Sequence, residues 1–217
     1  YISTKTLDNN VTQIVDGIIE GCRIAEMQLL GGETAEHFRA TDYDLAGFCT
    51  GVVEKNEIVD GSNIREGDVV IGIESSGFHS NGYTLINDML SRHKIFYKEM
   101  PELLTPTTIY ASLIQELLDE VPILGMAHIT GGGLPENLPR CLPKNLTVNV
   151  DYSAWKRPEL FNKIQQAGDI AEEEMRNVFN LGIGFCLIVP PSVVKDTQSL
   201  IADTPYGMGS WIIGEVK

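Results

Sequence analysis

The sequence predicts an α/β protein with mixed sheets, on three observations. Continuous apolar runs such as Asp68–Ile73 (DVVIGI) and Leu181–Val189 (LGIGFCLIV) read as buried strands, since a strand covered on both faces needs no polar side. Segments with apolar residues at three- and four-residue steps alternate with them and read as helices. Several strands end in loops of Gly, Ser, Thr, His and Asn, the usual punctuation between strand and helix.

Taken in order, the first helix is expected over residues 8–28, because Val11, Ile14, Val15, Ile18, Ile19, Cys22 and Ala25 fall on one stripe and Asp8 is a suitable N-cap. Leu29 and Leu30 then form a short strand that ends in the turn Gly31–Thr34, and Tyr43–Val53, rich in β-branched and aromatic residues, reads as a second strand. One helix and two strands cannot bury a core alone, so residues 1–59 form one part of a domain that needs a partner. Asp60-Gly61-Ser62 is a turn signal and marks the boundary to a second domain, 60–217. That domain opens with the strand Asp68–Ile73, the loop Glu74–Gly82 and a helix over Tyr83–His93. A connector at Pro101–Pro106 leads to an amphipathic helix over Ile109–Val121. Met126–Thr130 is a short strand running into Gly131–Gly133, followed by a helix over Pro135–Cys141. Thr147–Val150 reads as a strand, Pro158–Ala167 and Ala171–Asn177 as helices, Leu181–Val189 as a strand, Ser192–Ala202 as a helix and Trp211–Val216 as the last strand. The alternation predicts a mixed or partly parallel sheet flanked by helices.

Composition narrows the function classes. Hydrophobic residues at 43% and charged residues at 21% of 217 are ordinary for a globular chain and exclude disorder, collagen and coiled coil. Thirty Asp and Glu against sixteen Lys and Arg leave a net charge of −14 with no basic block, so neither nucleic acid nor an anionic membrane is an expected partner. No apolar run is long enough to span a bilayer, and YISTKTLDNN lacks the pattern of a signal peptide. The expectation is a soluble, cytoplasmic protein. Cys22, Cys49, Cys141 and Cys186 are widely spaced and are expected to be free thiols, without a disulfide framework or a zinc site.

Three loops share one format: Gly31–Glu36 (GGETAE), Ser75–Gly82 (SSGFHSNG) and His128–Gly133 (HITGGG). Glycines allow several N–H groups to aim at one point, and such loops bind phosphate without lysine or arginine, which all three lack. A single Gly-Gly is more often a tight turn, a lone His79 or His128 a structural histidine, and a lone Glu33 or Glu36 a solvated carboxylate. Together they supply what an ATP site requires: hard oxygen ligands for Mg²⁺ and neutral donors for phosphoryl oxygens.

GGETAE, DYDLAGF at 42–48, SSGFHSNGYTL at 75–85, LLTPTTIY at 103–110, AHITGGGLPENLPR at 127–140 and FNLGIG at 179–184 resemble, in order and along nearly the whole chain, the phosphoribosylformylglycinamidine cyclo-ligases, or aminoimidazole ribonucleotide (AIR) synthetases. The resemblance implies the C-terminal part of an AIR-synthetase-like first domain over 1–59 and the second domain over 60–217, the N-terminal third of the family being absent. It implies a homodimer whose first domains form a barrel together. It also implies an enzyme, a ligase of purine biosynthesis that forms a C–N bond, using ATP and Mg²⁺ to cyclise formylglycinamidine ribonucleotide. On that resemblance Gly31, Gly32, Glu33, Thr34 and Glu36 lie on the ATP side, with Glu33 and Glu36 as metal ligands. His79, His128 and Glu33 are the catalytic candidates, and Ser76, Gly77, Ser80, Asn81, Thr130, Gly131, Gly132 and Gly133 hold the substrate. The chain departs from the family's pattern at the short segment His37–Thr41, at Thr108, where Arg is common, and at Leu181, where Cys is common. The alternatives are another ATP-using relative, of the thiamine-monophosphate kinase, selenophosphate synthetase or hydrogenase-maturation type, or a dimerisation or phosphate-binding module without catalysis.

Overall fold

A computed structural model describes every residue except Thr41, Thr204 and Tyr206, so the end of the His37–Thr41 segment lies outside the described residues. The chain divides into two compact units, residues 1–58 with 109–112, and residues 59–108 with 113–217.

In the first unit, β1 (Ile2–Thr4) leads through α1 (Asn9–Ile24) to β2 (Thr34–Glu36), which pairs parallel with β1, while β3 (Asp44–Leu45) pairs antiparallel on the other side. The expected cap starts α1: the Asp8 carboxylate accepts the Asn10 amide at 2.9 Å and the Tyr43 hydroxyl at 2.6 Å, fastening the helix start to the strand that follows. Two sequence expectations change here. Leu29 and Leu30 are exposed and form no strand; the strand begins after the glycines, because Thr34–Glu36 is the stretch in register with β1. The run Tyr43–Val53 contributes only Asp44–Leu45, and Phe48 and Val52 are almost wholly exposed, since β-branched and aromatic residues hold a strand only where a neighbour and a packing face meet them.

The second unit holds the core. Its elements are β4 (Val69–Glu74), α2 (Tyr83–Ser91), most of α3 (Ala111–Glu120), β5 (Gly125–His128), α4 (Gly133–Asn137), α5 (Glu159–Gly168), α6 (Glu172–Val178), β6 (Ile183–Val189), α7 (Val194–Asp203) and β7 (Ser210–Glu215). The strands form one sheet in the order β5-β6-β4-β7, and every neighbouring pair is antiparallel. The α/β class stands, and the mixed pairing lies in the first unit's sheet rather than here. Alternation of strand and helix suggested parallel neighbours, but β6 lies between β4 and β5, which run the same way without touching. Thr147–Val150 shrinks to a single bridge, Val148 to Val216. Beneath the sheet, Phe78, Phe161 and Phe179 pack ring to ring with centroids 4.6, 4.9 and 6.1 Å apart, in one buried cluster with Val70, Ile86, Met89, Leu103 and Ile183. A half-buried network of Arg157, Glu172, Gln165 and Arg176 joins the starts of α5 and α6, with Arg176 lying 4.2 Å over the Tyr152 ring.

Candidate functional site

Because β4 and β5 each pair antiparallel with β6, their carboxyl ends emerge at one edge of the sheet, where β6 begins. The loops that leave them, 75–82 and 129–133, therefore meet the segment 179–182 that enters β6. This is the convergence that strand-end ligand sites exploit. Ser75 donates its amide to Gly182 and Ile129 donates to Gly184, so both loops are tied to the same stretch of backbone.

Within the first loop the inner residues are bound by Asn180. Its side-chain nitrogen donates to the Gly77 carbonyl at 2.8 Å, and its oxygen accepts the Gly182 amide at 2.9 Å and faces the Ser75 hydroxyl at 3.0 Å. The outer residues are strapped by the connector: the Ser76 hydroxyl donates to Pro106 at 2.6 Å, the Ser76 amide to Thr108 Oγ1 at 3.2 Å, and Ser80 and Thr107 share a hydrogen bond of 3.0 Å. His79 sits in this loop with φ of +57°, a left-handed conformation that costs a β-carbon residue about 1–2 kcal/mol, and it is buried. Its Nε2 accepts the Ser76 amide at 3.3 Å, which puts the ring proton on Nδ1. Burial first, and the neighbouring His128 second, hold its pKa down at about 4, so the ring is neutral at physiological pH.

His128 closes β5, exposed, with its ring stacked on Phe185 at 6.1 Å and 6.3 Å from that of His79. Partial burial lowers its pKa as well. The second loop is organised by Asn137 at the end of α4, whose nitrogen donates to the carbonyls of Thr130, Gly131 and Gly133 and whose oxygen accepts from the Thr130 hydroxyl and from Arg140. Gly133 donates its own amide to Thr130 at 3.0 Å. The structure thus brings Ser76, Gly77, His79, Ser80 and Asn81 to the same edge as His128, Thr130 and Gly131–Gly133. Asn137, Asn180 and Arg140 escaped the sequence reading. A lone asparagine carries no periodic signal, although one beside a glycine run, as in both GGGLPEN and FNLG, is a natural donor to the carbonyls that glycines leave uncovered.

The Gly31–Glu36 turn belongs to the first unit and is built differently. Gly31, Gly32 and Glu33 are exposed, and the turn leads into β2 instead of leaving a strand. Thr34 is half-buried at the start of the ladder. Glu33 precedes β2 and Glu36 ends it. Glu36 already accepts the Leu7 amide at 2.8 Å. No group of three or more His, Cys, Asp or Glu side chains able to hold a metal occurs among the described residues. Mg²⁺ is usually held by one or two carboxylates together with phosphate oxygens and water, and of this pair Glu36 is already engaged by the Leu7 amide. No step below is routed through a metal.

Comparison with known proteins places these features. Residues 65–217 match the family described as AIR synthase related protein, C-terminal domain, and residues 2–53 its N-terminal domain. The phosphoribosylformylglycinamidine cyclo-ligase of Prochlorococcus marinus (strain MIT 9313) is 48% identical over 231 residues, covering 100% of this chain and 66% of its own length. That of Coxiella burnetii (strain RSA 331 / Henzerling II) is 46% identical over 228 residues, covering 100% and 64%. The chain thus spans just under two thirds of the length of these relatives. Among solved structures, E. coli HypE superposes with a TM-score of 0.70 at 18% identity over 100% of this chain and 66% of that one. T. maritima PurL complexed with FGAR gives 0.63 at 15% identity over 99% and 34%, and both show a shared fold. Among the described residues no helix is long and apolar enough to cross a membrane.

Proposed function

The chain belongs to the AIR synthase-related family and is homologous along its whole length to phosphoribosylformylglycinamidine cyclo-ligases, and on that premise we propose that it forms the ribonucleotide side of an ATP-dependent cyclo-ligase. The reaction is closure of formylglycinamidine ribonucleotide to aminoimidazole ribonucleotide in purine biosynthesis, in a cytoplasmic homodimer. The observation that carries the reading is identity of 44–48% to curated cyclo-ligases over 100% of the chain.

An amide oxygen is a poor leaving group. Transfer of the γ-phosphoryl group of ATP to it releases ADP and makes an imidate phosphate. The neighbouring amidine nitrogen then attacks the activated carbon, the C–O bond breaks with its electron pair on departing phosphate, and the nitrogen gives up a proton. No enzyme nucleophile is required; positioning within one molecule supplies much of the rate. His128, neutral and exposed at the edge, accepts or relays that proton near the formyl oxygen. His79 acts from beneath by holding the Ser76–Asn81 loop in shape. Ser76, Gly77, Ser80, Asn81, Thr130 and Gly131–Gly133 surround the substrate, and Gly31–Thr34 with Glu33 and Glu36 lie toward ATP.

The test is turnover with formylglycinamidine ribonucleotide, ATP and Mg²⁺ by a parent protein that has the full length of the curated relatives, of which this chain covers 66%. ADP and aminoimidazole ribonucleotide should appear in equal amounts, and the 217-residue chain alone should turn over negligibly. ATP hydrolysis by the parent without ring closure would rule the reading out. His128→Ala in the parent should lower kcat about 100-fold, in the usual range for loss of a proton-transfer group, with the unfolding midpoint unchanged.

A further inference from the structure

On the β5 side of the same edge a cavity of about 240 Å³ is lined by Met126, His128, Thr130, Asn137, Arg140 and Cys141. Sites that enclose whole cofactors or drug-sized ligands run from roughly 300 to 1,000 Å³, so this one admits a single small group rather than a nucleotide. Its charge is unusual for the chain: within a molecule of net charge −14, the lining holds one guanidinium, beside a neutral imidazole, and no carboxylate. Arg140 is partly pinned, donating through one terminal nitrogen to Asn137 at 3.1 Å. Glu136 is the competing carboxylate, 3.9 Å from the other terminal nitrogen. Both side chains of that pair are about two-thirds exposed, so water screens it and leaves the guanidinium available.

We propose that this cavity is an anion subsite for a phosphomonoester, the phosphate end of the ribonucleotide substrate, with Arg140 supplying the charge and Asn137 aiming it. The identity of the phosphate's owner rests on the cyclo-ligase reading; the anion itself does not. A planar guanidinium held on one nitrogen presents its remaining N–H groups as a fork suited to phosphate oxygens. The Cys141 thiol, pushed up by burial and donating to Leu138, stays protonated and does not repel an anion. Asn137 binds the Thr130–Gly133 loop with the same side chain that orients Arg140, so loop and charge are set together.

The experiment titrates inorganic phosphate, and separately ribose 5-phosphate, into the 217-residue chain and follows backbone amide shifts. Saturating shifts centred on Thr130–Gly133 and Arg140 are expected. Arg140→Gln should weaken both ligands about tenfold or more, since a charge-assisted bond is lost. Arg140→Lys should weaken them less, and Glu136→Gln should tighten them. If Arg140→Gln fails to fold, Glu136→Gln decides: tighter binding supports the subsite and unchanged binding overturns it. In the parent enzyme Arg140→Gln should raise KM for the ribonucleotide far more than it lowers kcat. If the parent makes no aminoimidazole ribonucleotide while phosphate still lands at Arg140, the reaction is wrong and the subsite stands. If the parent turns over and Arg140→Gln changes neither phosphate affinity nor KM, the subsite is wrong and the reaction stands.

Discussion

Gly133 and Gly31 occupy loops of one composition and differ in everything around them. A β-carbon on Gly133 would overlap the Arg176 carbonyl, and its φ of +57° already disfavours one; Gly31 has open space and no such angle. Gly133→Ala should therefore cost on the order of 3 kcal/mol in a urea titration, whereas Gly31→Ala should fall within about 0.5 kcal/mol of the unsubstituted chain. Gly132 is tied up similarly, by the Glu136 side chain, so Gly132→Ala disturbs the fold as well as any ligand and cannot separate the two. At this scale the sequence marks three loops of one composition and is silent about which of their glycines the fold cannot spare. That depends on Arg176 and Phe179, which approach Gly133 from far along the chain.

The elements of the second unit were legible where burial repeats along them. The apolar run of β4, the stripe of α3 and the run of β6 all form within a few residues of their expected bounds, because each buries a continuous face. Tyr43–Val53 and Thr147–Val150 had the composition of strands without a ladder to join, and strand formation is decided by the neighbour. The junctions between elements carry the pH response. His79, whose pKa falls from 6.5 to about 4 on folding, leaves the unfolded chain binding the extra proton in that interval, so stability is complete above pH 6.5 and declines as pH drops toward 4. Glu172, depressed from 4.5 to about 2 chiefly by its hydrogen bond from Arg157, contributes above pH 4.5 and loses that contribution as pH falls toward 2. Its carboxylate is partly exposed, so that second limb is shallow, roughly 1 kcal/mol after screening. Urea midpoints measured across pH should show His79→Asn flattening the upper limb alone and Glu172→Gln the lower limb alone; asparagine suits the site because it tolerates a left-handed backbone.

For the whole molecule the contrast is between a unit with a core and one with almost none. Among the described residues of 1–58 only Ile2 and Thr4 are buried, and α1 buries none of its side chains despite its apolar stripe. Amides of β1 and β2 should then exchange with solvent orders of magnitude faster than those of β4 and β6, and native-state hydrogen exchange on the 217-residue chain would show it. Comparable protection in both units would mean that something covers the first. The sheet of the second unit has a further consequence, in time rather than space. Val69 pairs with Val189 and Ile73 with Ser210, so β4 leaves the ribosome long before either of its neighbours has been made. Until then its Val69–Glu74 backbone and apolar side chains are an open template for other chains. Folding of this unit therefore waits for β6 and β7, and a transcript cut short anywhere before Ile183 should yield insoluble polypeptide rather than a smaller folded domain.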